Sequence, residues 1–243
     1  MNLKQLVEVL YEEENLGKNW AKSVPSYARA CGFMEFGSTQ LTPLGEHVLA
    51  HDPALSLPAT QWLMHYHLCA AHGPGPRFWH DLLVRLPHLP QPFGKGEVVT
   101  EIDRSVRADS GAALKERGIE STATVFLGSY TKSDALGPLE ILGQSEGEFA
   151  FKTPEPPPPG VFAYALSHHW QGQLGAQQTC TLEDFSEPGG FGSVFLMGSF
   201  QVNRALRKLA RQGMLELWMA APPFQVTRPP MPEKLLEDIY ASE

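Results

Sequence analysis

At 243 residues, with 42% apolar and 19% charged residues, the chain has the composition of a globular protein that forms one large domain or two to three small ones. The formal net charge of −8 argues against binding to bulk nucleic acid, so any such contact has to come from local cationic patches. No apolar run approaches the roughly 18 residues of a membrane-spanning helix, and the acidic, amphipathic first segment does not resemble a signal peptide.

The three cysteines of the chain are widely spaced and include no Cys-x-x-Cys pair. Cys31, Cys69 and Cys180 therefore predict neither a disulfide framework nor a zinc knuckle. A reducing cytoplasm is the compartment that this pattern favours.

The first predicted unit covers residues 1–86. Apolar residues at helical spacing predict an amphipathic helix over residues 2–14, and a second helix is expected over 19–30, before Gly32. Residues 33–41 predict a short hairpin. Helices followed by a hairpin are the outline of a winged helix, and further helices connect this unit to the next.

The stretch from Leu41 to Leu68 predicts the joint between the first unit and everything after it. Asp52-Pro53 ends its first helical patch, because the residue before a proline is pushed out of the α region. In the denser helix that follows, Leu63 and Tyr66 share one side. A helix this rich in apolar and aromatic residues is typical of a packing spine.

The second predicted unit, residues 94–153, repeats the outline of the first. A helix is expected near residues 99–109, and apolar residues at helical spacing from Ile119 to Tyr130 predict another. Alternating residues after a glycine-containing turn then predict a hairpin that ends near Lys152.

A proline-rich segment, Thr153 to Gly160, marks the clearest boundary in the chain, because such a run is stiff polyproline II. The third predicted unit, residues 160–232, has helices over 161–170, from Thr181 onward and over 199–212, then a hairpin within 215–228 and a tail over 233–243. The sequence therefore predicts a mainly α protein with small β-hairpins, an α+β fold of tandem winged-helix-like units.

Several short motifs stand out in the first half of the chain. They are Gly17-Lys18-Asn19, Arg29 with Gly32, Leu41-Thr-Pro-Leu-Gly45, Asp52-Pro53 and Trp62-Leu-Met-His-Tyr-His67. Together they resemble the motifs of the bacterial domain-of-unknown-function family 4007. Weaker matches continue to Val194-Phe195, so the resemblance covers nearly the whole chain and is specific in its first half.

The resemblance implies a winged-helix, DNA-binding-like protein of a kind that tends to be encoded beside sulfur-transfer and DNA-phosphorothioation or phage-defence genes. No catalytic residue is attached to the family, so none is carried over. The chain departs from the family at Pro25, and again where Glu120, Ser121, Thr122 and Thr124 replace basic residues of the middle helix. These departures argue against DNA reading by the first two units.

The strongest candidate for a nucleic-acid contact is the helix predicted over residues 199–212, which has no acidic residue. We expect the apolar residues Val202, Leu206 and Leu209 to point inward. The cations of the helix share the opposite face. A recognition helix followed by a hairpin is how winged helices meet duplex DNA. The alternative is a solvated helix face whose cations near the C-terminus favour the helix dipole. The four cations are Arg204, Arg207, Lys208 and Arg211.

Two further groups of cations extend this prediction. Arg228 lies in the hairpin after the helix and would continue the positive stripe. Lys18, Lys22 and Arg29 form a sparser set in the first unit, and we expect them to contribute in the same way.

Histidine pairs raise the question of a metal site. His47 and His51 are one helical turn apart, as two imidazole ligands need, but their order matches no zincin pattern. His65 and His67 are two residues apart and point to nearly opposite sides of a helix. We therefore predict packing histidines and no metal ligands.

Catalytic motifs are not apparent in the sequence. The loop Pro188–Gly192 lacks the Gly-Lys-Ser/Thr of a P-loop and the strand–helix context of a dinucleotide loop. Ser193 and Ser199 have no nucleophile elbow. We predict no catalytic residue, no cofactor and no enzyme activity.

The favoured function is a non-catalytic DNA-binding or scaffold subunit of a bacterial phage-defence or DNA-modification system, with duplex DNA and other protein subunits as partners. The alternative is a protein-binding adaptor without DNA contact, which would dock a nuclease, a sulfurtransferase or a CRISPR-type complex. A third possible function is a metal-dependent nuclease. The sequence does not favour it, because no carboxylate–histidine cluster of the kind that such an enzyme needs is apparent. A DNA reader predicts a positive stripe continuous from Arg204 to the hairpin of residues 224–228, whereas an adaptor predicts that the helix is buried or neutralised by Glu183, Asp184 and Glu187.

Overall fold

The computed structural model describes residues 3–12, 17–110, 116–187 and 189–240, and most of these residues are helical. In chain order the α-helices are α1 (Leu3–Glu12), α2 (Lys18–Ala30), α3 (Pro43–His51), α4 (Pro58–Cys69), α5 (Arg77–Arg85), α6 (Lys95–Ser110), α7 (Glu116–Thr131), α8 (Pro159–His169), α9 (Phe191–Val194), α10 (Ser199–Arg211) and α11 (Leu236–Ile239).

Small antiparallel sheets complete the described part of the fold. The strands are β1 (Leu142–Ser145), β2 (Glu148–Phe151), β3 (Thr179–Thr181), β4 (Leu217–Trp218) and β5 (Gln225–Thr227). β1 pairs with β2, and the other three form a sheet in the order β3-β5-β4. The predicted fold class, mainly α with small β-hairpins, is confirmed.

The predicted hairpin of the middle unit is confirmed. Its strands pair from Leu142 with Phe151 to Ser145 with Glu148. Glu146 and Gly147 connect them, both with positive φ, at 52° and 86°. This is the backbone conformation of the two-residue turns that match the twist of paired strands.

The helix predicted from Thr181 is wrong. Thr179–Thr181 is a strand in which buried Cys180 stands opposite Val226 of β5. Two β-branched threonines around a buried residue suit a pleated strand better than a helix. The Asp184 carboxylate then accepts the Thr181 N–H at 2.8 Å, and a single 3-10 turn over Glu183–Phe185 follows.

Two predicted boundaries in the helical part also differ. α2 begins at Lys18 and includes Pro25 within the helix. The hairpin predicted over residues 33–41 is present only as an isolated antiparallel bridge between Met34 and Leu41. A short polar turn with few alternating residues supports little strand pairing.

Helix α4 is the packing spine that the sequence predicts. Its side chains are buried from Ala59 to Leu63 and from His65 to Cys69. One continuous buried cluster surrounds it, from Ala30 to Ile239, and takes apolar side chains from all three predicted units.

A buried chain of hydrogen bonds centres on His65 of α4. A carbonyl oxygen only accepts, so the His65 Nε2–H donates to the Val194 carbonyl at 2.7 Å. Burial lowers the pKa of His65 to about 4, against the raising effect of that hydrogen bond, so the ring is neutral near pH 7. Its Nδ1 then accepts from the Tyr130 hydroxyl at 2.9 Å.

The same chain continues to a third helix. The Trp79 Nε1–H donates to the Tyr130 oxygen at 2.9 Å, and the Cys69 sulfur lies 3.3 Å from that oxygen. Every donor and acceptor along the path from Val194 to Trp79 therefore has a partner. The network joins α4, α5, α7 and the end of α9 inside the core.

We expect Tyr130→Phe to lower the free energy of unfolding by about 1–3 kcal/mol, because it leaves the buried Trp79 N–H without its acceptor and removes the hydroxyl that donates to His65 Nδ1. Urea denaturation measures this loss. Tyr11→Phe, at an exposed tyrosine, is the matched control and should leave the free energy nearly unchanged. Equal stability of Tyr130→Phe and the wild type would contradict the assigned role of the hydroxyl.

The lowered pKa of His65 also predicts how stability depends on pH. An unfolded histidine binds a proton near pH 6.5, whereas the folded ring does so only near pH 4, so stability falls as pH drops through this window. We expect His65→Gln to be less stable at pH 7.5 and to lose less further stability between pH 6.5 and 4.5 than the wild type. Urea midpoints across this range measure the slope.

Tyr130→Phe is the control for that comparison, because it disrupts the same network and keeps the titrating ring. It should retain most of the wild-type dependence of stability on pH, because burial of the ring is the largest cause of its lowered pKa. A His65→Gln protein with the full wild-type slope would show that His65 does not contribute to the pH dependence.

Candidate functional site

Helix α10 has one buried and one exposed face, as predicted. Val202, Leu206 and Leu209 are buried and belong to the core. The opposite face exposes Arg204, Arg207, Lys208 and Arg211. The helical repeat of 3.6 residues brings these four cations onto one side of a 13-residue helix.

The ends of α10 are fixed by local hydrogen bonds. The Gln201 side chain accepts the N–H of Gly198 at 2.8 Å, just before the first turn. At the other end, Gly213 has a φ of +74°, and the Met214 N–H reaches back to the Leu209 carbonyl at 3.0 Å. A left-handed glycine with this reversed hydrogen bond is a common helix C-terminus.

A close contact with α9 sets the position of α10. The Cα of Gly192 lies so near Val202 that a Cβ built on it would be 2.5 Å from the valine Cγ2. The backbone carbonyl of Met197 would be 3.0 Å away. Glycine is therefore required where α9 meets the buried face of α10.

The cations on α10 are available to a ligand. None of the four forms an ion pair with a carboxylate whose side chain the structure describes. The cations that do form ion pairs are Arg77, Arg85, Arg104, Arg107 and Lys152. The Asp184 carboxylate, a possible neutralising group, instead accepts the Thr181 N–H.

Arg228 lies on a different element from the four helix cations. It directly follows β5 and is partly buried, and its backbone N–H donates to the Gln178 carbonyl at 2.8 Å. Its guanidinium Nη2 lies 3.8 Å from the Met231 sulfur. This side chain is therefore less accessible than those on α10.

The predicted cations of the first unit are separate from α10. Lys22 is exposed on α2, whereas the side chain of Lys18 lies outside the described residues. The Arg29 guanidinium donates to the backbone carbonyls of Glu35 at 3.2 Å and Ser38 at 2.8 Å. Arg29 thus holds the turn after α2.

Two exposed aromatic residues accompany the cationic helix, and sequence reasoning did not single them out. Phe200 on α10 is 78% exposed, and Trp218 on the edge strand β4 is 62% exposed. The sequence does indicate that Phe200 is exposed. It lies four residues before Arg204, on the same helix face, and not on the face of buried Val202.

The histidine pair His47 and His51 packs against an aromatic ring. The two imidazole centroids are 4.2 Å apart, and both rings stack on Tyr240 at 5.4 and 5.2 Å. In the part of the chain that the structure describes, no group of three or more His, Cys, Asp or Glu residues could hold a metal ion.

A cleft of about 570 Å³ opens where α2, α8 and the loop after α4 meet. The His67 Nε2 lies 3.2 Å from the Tyr164 hydroxyl, and its buried Nδ1 has no hydrogen-bond partner. Burial, with a smaller effect of His168, lowers the pKa of His67 to about 3. Gly32, at a φ of +77°, lets the ring lie against the backbone.

This cleft was not predicted from the sequence, although its residues were noted separately. Gly32 and His67 belong to different motifs, and only the fold brings them together. Its polar lining mixes Arg29 and Glu233 with neutral rings, so the charges point to no one class of ligand.

The cysteines are not activated nucleophiles. Burial raises the pKa of Cys31 to about 12. Burial also raises the pKa of Cys180 to about 12, with a smaller effect of Asp184, and raises that of Cys69. A thiol with a raised pKa is protonated near pH 7 and reacts slowly.

Comparison with known families identifies the chain. The model of the family described as "Protein of unknown function (DUF4007)" matches residues 12–241. The chain belongs to this family. The resemblance noted in its sequence motifs is thereby confirmed, and a search of curated proteins finds no match.

Two solved structures share the fold of this DUF4007 chain. A magnesium ion-bound SspB crystal structure has a TM-score of 0.75 at 18% sequence identity, over 98% of this chain and 81% of SspB. A second SspB crystal structure has a TM-score of 0.75 at 19% identity, over 94% and 76% of the two chains. At this identity the likeness establishes the fold.

Magnesium in one SspB structure raises the question of whether this chain could bind the ion. Mg²⁺ prefers oxygen ligands from one or two carboxylates together with water. Among the described residues, no group of three or more His, Cys, Asp or Glu side chains could hold a metal ion. The buried carboxylates of Asp81 and Glu101 form ion pairs with arginines. We therefore assign no metal-dependent chemistry to this chain.

No helix within the described ranges of the chain has the length and apolar character needed to cross a membrane.

We expect Gly192→Ala to destabilise the protein by about 1–3 kcal/mol, because the new methyl group overpacks the contact between α9 and Val202. Gly118→Ala on α7 is the control, since a Cβ there meets nothing within 4 Å and alanine favours the helix. Thermal or urea unfolding should order the proteins Gly118→Ala, wild type and Gly192→Ala, from most to least stable. A Gly192→Ala protein as stable as the wild type would show that the contact is not tight.

Proposed function

We propose that this DUF4007 chain is a non-catalytic DNA-binding or scaffold subunit of a bacterial phage-defence or DNA-modification system. The observation that carries the proposal is the exposed face of α10, whose four cations form no ion pair in the described structure. Four lysine and arginine side chains along one helix provide the phosphate contacts that supply most of the affinity for duplex DNA.

The order of elements around α10 supports a winged-helix assignment for the third unit. α8 is followed by β3, then by α9 and α10, and then by β4 and β5. The early strand β3 pairs with the last strand β5, and β4 lies on the other side of β5. In a winged helix with this topology, the helix before the hairpin enters the DNA groove, and here that helix is α10.

The first two units have a weaker case for DNA contact. The Arg29 guanidinium already binds two backbone carbonyls, and the middle helix α7 carries Glu120 and threonines where basic residues would meet phosphates. We therefore assign the DNA contact to the third unit and a supporting role to Lys18, Lys22, Arg29 and Arg228.

The setting in a defence or DNA-modification system comes from the family resemblance, and the fold shared with SspB agrees with it. We also propose that the chain has protein partners, because such defence and DNA-modification systems are multi-subunit complexes. The proposal assigns the chain no catalytic residue and no cofactor.

The competing function is a protein-binding adaptor without DNA contact. It expects α10 to be buried or neutralised by Glu183, Asp184 and Glu187. The exposed α10 cations and the engagement of Asp184 by the Thr181 backbone favour the DNA-binding function instead.

The test is fluorescence anisotropy with a labelled duplex at increasing salt, for wild type and Arg204→Ala/Arg207→Ala. We expect saturable binding whose salt dependence flattens by about one unit of log K per log salt for each arginine removed. Arg117→Ala/Lys132→Ala is the matched control: it removes two exposed cations from α7 and the turn after it, with the same change in net charge, and should bind as the wild type does.

Equal weakening by both double variants would show that binding depends on net charge and not on α10. No binding even at low salt would contradict the DNA-binding function. A search for protein partners on the α10 face would then be the appropriate next experiment.

A further inference from the structure

Phe200 places a large apolar ring in water on the same helix face as the cations. Phe200, Arg204, Arg207 and Arg211 are separated by four, three and four residues, so they form one stripe along α10. The Phe200 side chain is 78% exposed and packs neither in nor against the buried core of the described residues. Nothing in that part of the fold accounts for a phenylalanine here.

A second exposed aromatic residue lies in the same unit. Trp218 on β4 is 62% exposed, whereas its neighbour Leu217 packs against the core, as alternate residues of a strand do. β4 is the edge strand of the sheet and belongs to the hairpin after α10. The cationic helix and its hairpin thus each expose one aromatic ring.

Phosphates account for the cations of the α10 face but not for its aromatic ring, Phe200. In a continuous duplex the base faces are covered by neighbouring base pairs, so an exposed ring has no flat partner there. Where a base is unpaired or unstacked, its face can stack on an aromatic side chain, and apolar side chains also insert between base steps. A helix face that combines cations with an exposed aromatic ring therefore fits DNA with a local disruption better than a regular duplex.

We propose that the α10 face recognises duplex DNA at a locally unpaired base, and that Phe200 stacks on that base while the neighbouring cations bind the flanking phosphates. This inference rests on the proposed DNA-binding function and specifies its substrate class. The charge of the stripe favours nucleic acid over an apolar protein as the partner. Four cations without ion pairs beside one aromatic ring complement a polyanion that carries aromatic bases.

Phe36 shows why exposure alone would not carry this inference. It is 73% exposed in the turn after α2, and the nearby Arg29 guanidinium is bound to the backbone carbonyls of that turn. Phe36 thus resembles Phe200 in exposure but has no cationic stripe beside it. It offers a matched control for the loss of an exposed phenylalanine.

The experiment measures anisotropy with two labelled probes of the same sequence, a continuous duplex and a duplex with one extra unpaired adenine. We expect the wild type to bind the bulged duplex about tenfold more tightly, within the range that stacking on one aromatic residue provides. Phe200→Ala should lose this preference and keep its affinity for the continuous duplex. Phe36→Ala should behave as the wild type, and Phe200→Tyr should restore the preference.

The possible failures are distinguishable. If the wild type binds the continuous duplex through Arg204 and Arg207 but shows no preference for the bulge, this inference is overturned and the DNA-binding function stands. A Phe200→Ala protein that retains the full preference, or that loses affinity for both probes equally, also overturns it. If neither probe binds, the DNA-binding function itself fails.

Discussion

The neutral ring of His65 lies at the centre of the hydrogen-bond network that joins the helices of the core. It is buried on α4, donates to the Val194 carbonyl and accepts from Tyr130, which in turn accepts from Trp79. An imidazole can do this only while it carries one proton on Nε2, and burial keeps it in that state by disfavouring the charged form. α4, α5, α7 and the end of α9 are therefore linked by one chain of hydrogen bonds through this ring.

That network also governs the proposed DNA-binding surface. Val194 ends α9, and Gly192 of the same short helix lies against Val202 on the buried side of α10. The exposed cations and Phe200 are thus carried by a helix whose inner face is held to the central core through two tight contacts. A rigid support of this kind allows a surface to distinguish ligands by shape, because the helix backbone does not have to be ordered on binding.

Local patterns predicted much of this architecture, and long-range contacts explain what they missed. The two faces of α10 follow from a spacing of three and four residues, and the β1–β2 hairpin follows from alternation around Gly147. β3 has three residues, too few for a periodic pattern, and its partner β5 lies more than 40 residues later. The bond from His65 to Val194 spans 129 residues, and neither residue type indicates the other.

The concentration of cations on α10 has an electrical consequence. The chain has a net charge of −8, so with four cations on one helix face the remainder of the molecule is more acidic than that figure suggests. If α10 meets DNA as proposed, the field of the polyanion attracts the α10 face and repels the more acidic remainder of the molecule, which favours one docking orientation during the approach.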